Sequence, residues 1–232
     1  MYFQSQVRKL LLSQSMIPYA NSRYGIIYNA YVIFDSRNIC PVGWHVTTSP
    51  EYTTIINYSG GSAVSGQNLK SIGTDWWNTA NGLNTYGFNF RGNGQRSSGF
   101  LGFKSSGNLW TSTIISQQFT TSRYLVVTDL ANNAELNAGA WSEGKGIRLA
   151  KDSTTLSNGQ TSTMIGTDGR QYNTICIGGI EILSENYRSA NYRNGDWITG
   201  FDGGVYTPIS NAAWAAKTTE ACCVYGDNLS NM

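Results

Sequence analysis

Residues 36–46 read Ser36-Arg37-Asn38-Ile39-Cys40-Pro41-Val42-Gly43-Trp44-His45-Val46. A polar turn from Asp35 to Asn38 opens into an apolar run punctuated by Pro41 and Gly43, which reads as a buried strand entered through a turn. Thr48-Ser49-Pro50-Glu51 follows at once and carries a helix-start signature. Ser49 is placed as N-cap, Pro50 at the first helical position and Glu51 near the positive helix end. The helix is expected to run to about Tyr58, to stop at Gly60-Gly61 and to bury Tyr52, Ile55 and Ile56. A second short helix is expected around Ser65 to Ser71, carrying Leu69.

Upstream, Tyr24 to Asn29 alternates enough to be a strand, and residues 1–22 read as an N-terminal arm. Downstream, Thr74 to Arg148 reads as strands joined by glycine turns. Phe88-Asn89-Phe90 and Leu125-Val126-Val127 fit strands, as do the segments starting at Trp110 and at Gly146. Ser153 to Thr163 is rich in Ser, Thr, Asn and Gly and marks a boundary. The organisation expected is an arm over 1–22, a body over 23–152, a linker over 153–165 and a second stretch over 166–232. In that last stretch residues 166–170, GTDGR, form a tight turn before a strand from Gln171 to Ile177. A helix capped by Ser210 follows, and a final strand begins at Cys222.

Only 13% of the 232 residues are charged, against about 25% in a typical globular domain. Gly, Asn, Ser and aromatic residues take their place. That composition suits short strands and tight turns, and faces that bind through Tyr, Ser and Asn. The formal net charge is +2 with no Lys/Arg run, so a nucleic-acid partner is not expected. No stretch approaches 18 apolar residues, so no membrane insertion is expected. Leu10 to Leu12 is too short for a signal-peptide core, which leaves secretory export unsupported.

The search for chemistry returns little. His45 is the single imidazole, and the four cysteines, Cys40, Cys176, Cys222 and Cys223, contain no CxxC pair. A zinc site would need paired ligand spacing. One disulfide between distant cysteines and free buried thiols both stay open. No nucleophile elbow accompanies His45, and the carboxylates are dispersed. Residues 92–96, GNGQR, lack the Lys-Ser/Thr of a phosphate loop and read as a hairpin. Asp168-Gly169 and Asp202-Gly203-Gly204 offer loop oxygens without an EF-hand pattern. The expectation is a non-enzymatic protein with no catalytic residue, no cofactor and no metal. Trp44, Trp77 and Trp110 are the expected core anchors, and Trp141, Trp197, Tyr192 and Tyr206 the candidates for a binding surface.

These strings resemble the Fibrobacter succinogenes major paralogous domain. The resemblance is carried by residues 24–31 (YGIIYNAY), 36–46 (SRNICPVGWHV), 51–55 (EYTTI), 68–78 (NLKSIGTDWWN), 108–113 (NLWTST) and 146–152 (GIRLAKD). Residues 166–229 resemble the N-terminal half of the same family, through 168–174 (DGRQYNT), 184–187 (SENY), 192–196 (YRNGD) and 218–225 (TTEACCVY). In the usual order that half comes first; here it comes second. The resemblance therefore implies one domain whose halves are exchanged, either by circular permutation within a chain or by completion of a neighbouring subunit. Ala30 and Ile182 stand where the family usually has Trp. Leu149 stands where it has Cys, which removes the partner the resemblance would imply for Cys40.

The resemblance implies a C-type-lectin-like α+β fold, β-rich with two or three short helices and much irregular loop, and no catalytic residues. It implies a phage virion surface protein, such as a fibre tip, head fibre or decoration subunit, that contributes to host recognition. The alternative is a bacterial cell-surface adhesin or glycan-binding protein. The partners expected are other copies of the chain (a trimer favoured), virion proteins reached by the N-terminal arm, and a host-surface glycan or protein.

Overall fold

The computed structural model describes residues 24–231; the expected arm over 1–22 lies outside them. The chain opens with strands β1 (Ile27–Asn29) and β2 (Trp44–Val46) and helices α1 (Ser49–Tyr58) and α2 (Ser62–Leu69). Strands β3 (Asn93–Arg96), β4 (Phe100–Phe103), β5 (Ser106–Ser116), β6 (Thr121–Thr128) and β7 (Ala134–Ala140) follow. Then come β8 (Gly144–Lys145) and β9 (Leu149–Lys151). The second stretch carries β10 (Thr161–Ile165), β11 (Gln171–Ile177), β12 (Ile180–Leu183), β13 (Phe201–Asp202) and β14 (Val205–Tyr206). It ends with helix α3 (Asn211–Ala215) and β15 (Cys222–Cys223). The fold is α+β and β-rich, with short helices and long irregular connections.

Two sheets organise it. One runs β15-β1-β8-β3-β5-β6-β7, with β4 beside β3; the other runs β10-β11-β12-β9-β2. Each sheet draws strands from both stretches of the chain. Ile27 pairs with Cys223 and Tyr28 with Cys222 in the first sheet, and Ala150 pairs with Ile182 in the second. The cores are shared in the same way. Tyr28, Val46, Trp110 and Ile147 cluster with Tyr172, Leu183, Tyr187 and Cys222. Tyr52, Ile55, Trp77 and Leu125 cluster with Ile175, Ile177 and Ile182.

Local rules explain the helices. Thr48, one residue before the expected cap, is the N-cap of α1, because Glu51 three positions on completes a capping box with it. Tyr52, Ile55 and Ile56 are the buried face. Ser210 caps α3 through the Ala213 N–H and α3 buries Trp214. α2 begins at Ser62, earlier than expected, behind Gly61 at φ 85°.

Three expectations are corrected. Residues 161–165 are strand β10, not linker, because each pairs with β11 despite a polar composition. Phe88-Asn89-Phe90 is not a strand: Asn89 has a φ of 52°, which breaks extension and lets both rings turn inward. Of the apolar run after Asn38, only residues 44–46 form a strand, and Val42 is 82% exposed.

Buried cations join the stretches. Arg148 is fully buried, with no carboxylate partner among the described residues. Its Nη1 donates to the carbonyls of Phe88 and Leu183, Nη2 to that of Asn89, and Nε to Asn186 Oδ1 at 3.0 Å. Burial pulls its pKa down to about 9. Arg96 reaches the Ile209 carbonyl and Asn211, and lies over Phe100 and Trp214. Lys70, by contrast, acts within the first stretch, where it donates to the carbonyls of Thr128, Asp129 and Ala131.

Candidate binding surface

Trp197 is exposed and stands on the turns of residues 191–206. The base of this segment is fixed by Thr167, whose Oγ1 donates to the Asn191 carbonyl (3.0 Å) and lies 2.7 Å from the Ser189 hydroxyl. Tyr192 N–H donates to the Asp196 carbonyl and Gly195 N–H returns to the Tyr192 carbonyl, with Gly195 at φ 93°. An isolated bridge joins Asn191 to Trp197. The β13–β14 hairpin turns through Gly203 and Gly204, both at positive φ. A side chain at Gly204 would put its Cβ 3.2 Å from the Trp197 indole, so this glycine forms the bed on which the ring lies. Trp197 is 40% exposed and Val205 64% exposed, and Asn194, Asp196 and Asp202 are exposed along the same turns.

Arg37 braces the surface from below. It is ion-paired to Asp35 (2.7 Å), Glu220 (3.1 Å) and Asp196 (3.7 Å), with its guanidinium 4.2 Å above the Tyr192 ring. The hydrogen bond from Arg37 holds Asp35 below its ordinary value, against the opposing effect of burial. The brace ties the Asp35 turn, the Asp196 turn and Glu220 into one rigid support. Sequence reading missed it, since its members lie far apart in the chain.

The other surface candidates are corrected. Trp141 is 8% exposed: its ring stacks on Phe34 at 4.5 Å and meets Tyr31 edge-on, and its Nε1 donates to Ser122 Oγ. Tyr192 is fully buried beneath Arg37. Tyr206 is half-buried, its ring against Phe201 and its hydroxyl donating to Asp227, so it latches the hairpin to the chain end. Among the expected anchors, Trp77 and Trp110 are fully buried. Trp44 is only half-buried, because β2 is an edge strand of its sheet; Lys151 lies over its ring.

The groups that chemistry would call on are engaged in the fold. His45 sits between Asp152 (Nδ1, 2.7 Å) and Glu51 (Nε2, 2.9 Å). The Glu51 hydrogen bond raises its pKa to about 9; burial opposes this and Asp152 adds to it. Both ring nitrogens are therefore donors at neutral pH. All four cysteines are free and buried, and burial pushes Cys40 and Cys223 up to about 12. Asp168 accepts from Arg170 N–H and from the Tyr172 hydroxyl. Among the described residues no group of three or more His, Cys, Asp or Glu side chains is placed to hold a metal ion. Among them, too, no helix is long and apolar enough to cross a membrane.

Comparison with known proteins gives one match. The sequence model of the Fibrobacter succinogenes major domain matches residues 8–161, more than half of the chain. No curated protein and no solved structure matches it.

Proposed function

The chain belongs to the Fibrobacter succinogenes major domain family, and from that premise we propose that it is a non-enzymatic recognition protein of a phage virion surface. It acts by display, with Trp197 at the centre of the contact face. The observation that carries this reading is the exposed indole seated on Gly204 and held rigid by the Arg37 brace. A large flat ring on a pre-organised support gives contact area at small entropic cost. The engagement of His45 and of the buried thiols in the fold supports display rather than turnover. The lectin-like character that the family resemblance implies and the low charge fit a partner that is a host-surface glycan or protein. A trimer with the N-terminal arm docked on other virion proteins is the assembly we favour, by analogy with fibre-like attachment proteins. The alternative is a bacterial adhesin carrying the same face.

Adsorption tests this. Purified protein added to host cells before infection lowers phage adsorption, and Trp197→Ala removes most of that competition while melting at the wild-type temperature. Absence of competition by the wild-type chain overturns the recognition role. Mass spectrometry that finds the chain on bacterial surfaces and not in purified virions transfers the role to the adhesin.

A further inference from the structure

The C-terminal end of α1, residues 85–87, residues 158–159 and β11 border a cleft of about 330 Å³ that shares no residue with the Trp197 face. Its walls are Tyr58, Thr85, Tyr86, Asn158, Ile175 and Cys176. They come from three separate parts of the chain: the first stretch, the junction segment after residue 152, and β11. The volume lies at the lower end of the range that takes small molecules, about 300–1,000 Å³.

We propose that this cleft binds an uncharged pyranose unit of a glycan. Tyr58 and Tyr86 form an edge-to-face pair with ring centroids 5.6 Å apart, and Tyr58 is 44% exposed. A pyranose has an apolar C–H face and a rim of hydroxyls, which matches a phenol face bordered by polar groups. The polar groups are at hand. The hydroxyls of Tyr58, Thr85 and Tyr86 have no hydrogen-bond partner among the described residues. Asn158 Oδ1 already accepts from Gly179 N–H at 2.8 Å, which fixes the carboxamide and leaves its Nδ2 group as a donor. No charged side chain lines the cleft, so neither an anionic sugar nor a cation gains an ion pair there. Ile175 is the buried apolar residue of the lining, and Gly87 beside it has a φ of 71°. Gly178, at φ 63°, brings the β11–β12 turn against Tyr58: a Cβ there would lie 3.2 Å from the Tyr58 Cβ.

The test is an NMR titration of the whole protein. The probes are the methyl glycosides of glucose, galactose, mannose and N-acetylglucosamine, with N-acetylneuraminic acid as the anionic comparison. At least one neutral glycoside is expected to bind at millimolar concentration and to shift the amides of Thr85–Gly87 and Asn158–Gly159. Tyr58→Ala should weaken that binding about tenfold through loss of the stacking face. Asn158→Asp keeps the acceptor for Gly179 and removes the donor, so the fold stays intact while binding falls by a similar factor. Trp197→Ala leaves this binding unchanged, which separates the cleft from the Trp197 face. The proposal is overturned if no neutral glycoside binds, if the anionic sugar binds as well as the neutral ones, or if binding survives both cleft substitutions.

Discussion

Ile27 in β1 sits opposite Cys223 in β15 on an antiparallel ladder, so the chain leaves β15 at Val224 beside the point where it enters β1 from Ile26. Tyr24 and Tyr225 flank the same ring, each with its centroid 4.7 Å from that of Phe103. The geometry is that of a β-hairpin whose turn is missing. It places the end of the second stretch against the start of the first within one chain. This is the contact that a circular permutation, expected from the resemblance, would make within one chain, with residues 153–160 joining the two stretches at the other side.

Arg148 ties the two stretches through Phe88 and Asn89 on one side and Leu183 and Asn186 on the other. Replacing it with Met keeps volume but leaves the carbonyls of Phe88, Asn89 and Leu183 without their donors. The expected loss is about 3–5 kcal/mol, in the range for stranding several buried polar groups. Denaturant unfolding measures it, and a loss below about 1 kcal/mol would mean that water reaches these carbonyls.

Tryptophan truncations should rank by burial. Trp77→Ala and Trp110→Ala each remove a fully buried ring whose Nε1 donates to a carbonyl, Phe90 and Tyr28 respectively. Each should cost about 3–5 kcal/mol. Trp44→Ala, at the half-buried edge strand, should cost about 1–2 kcal/mol, in proportion to the smaller area removed from water. Equal losses at the three sites would contradict the packing.

His45 makes stability depend on pH in a defined direction. Its folded pKa is raised to about 9 from 6.5, so its contribution is complete below 6.5 and disappears as pH rises through about 9. Glu51 sets the acid limit. Burial opposes its ionisation, but hydrogen bonds from His45 and Thr48 outweigh this and lower its pKa, so its contribution is lost only at acid pH. The difference in melting temperature between the wild type and His45→Gln should be largest near about pH 6 and should shrink towards about pH 10. As the single histidine, His45 also titrates cleanly by NMR; a midpoint at or below 6.5 would contradict its pairing with Glu51 and Asp152.

The helix starts were readable, with the Ser210 cap correct and the α1 cap placed one residue late, because their determinants are local. Thr48→Ala should cost about 1 kcal/mol, measured by thermal melting, since Thr48 and Glu51 satisfy each other's backbone.

What the sequence concealed was set by distant partners. Trp141 and Tyr192 carry no local sign of burial; Phe34 and Arg37 cover them from other turns. β10 reads as a linker because Thr161, Ser162 and Thr163 are polar, and only its ladder to β11 makes it a strand. Val42, by contrast, lies in an apolar run yet points to solvent because Pro41 and Gly43 turn the chain before β2 begins. Trp197 was legible as an aromatic among glycines, but its bed at Gly204 required the fold.

The two stretches share both sheets and both cores, and the proposal that they are halves of one cooperative domain in exchanged order is tested most directly by reversing their order. A chain that runs from residue 161 to 228, passes through a short glycine linker, and continues from 24 to 152 should unfold in a single transition. Its midpoint in urea should match that of the natural chain within the small cost of the new loop. A rearranged chain that fails to fold, or that melts in two separate steps, would contradict the account.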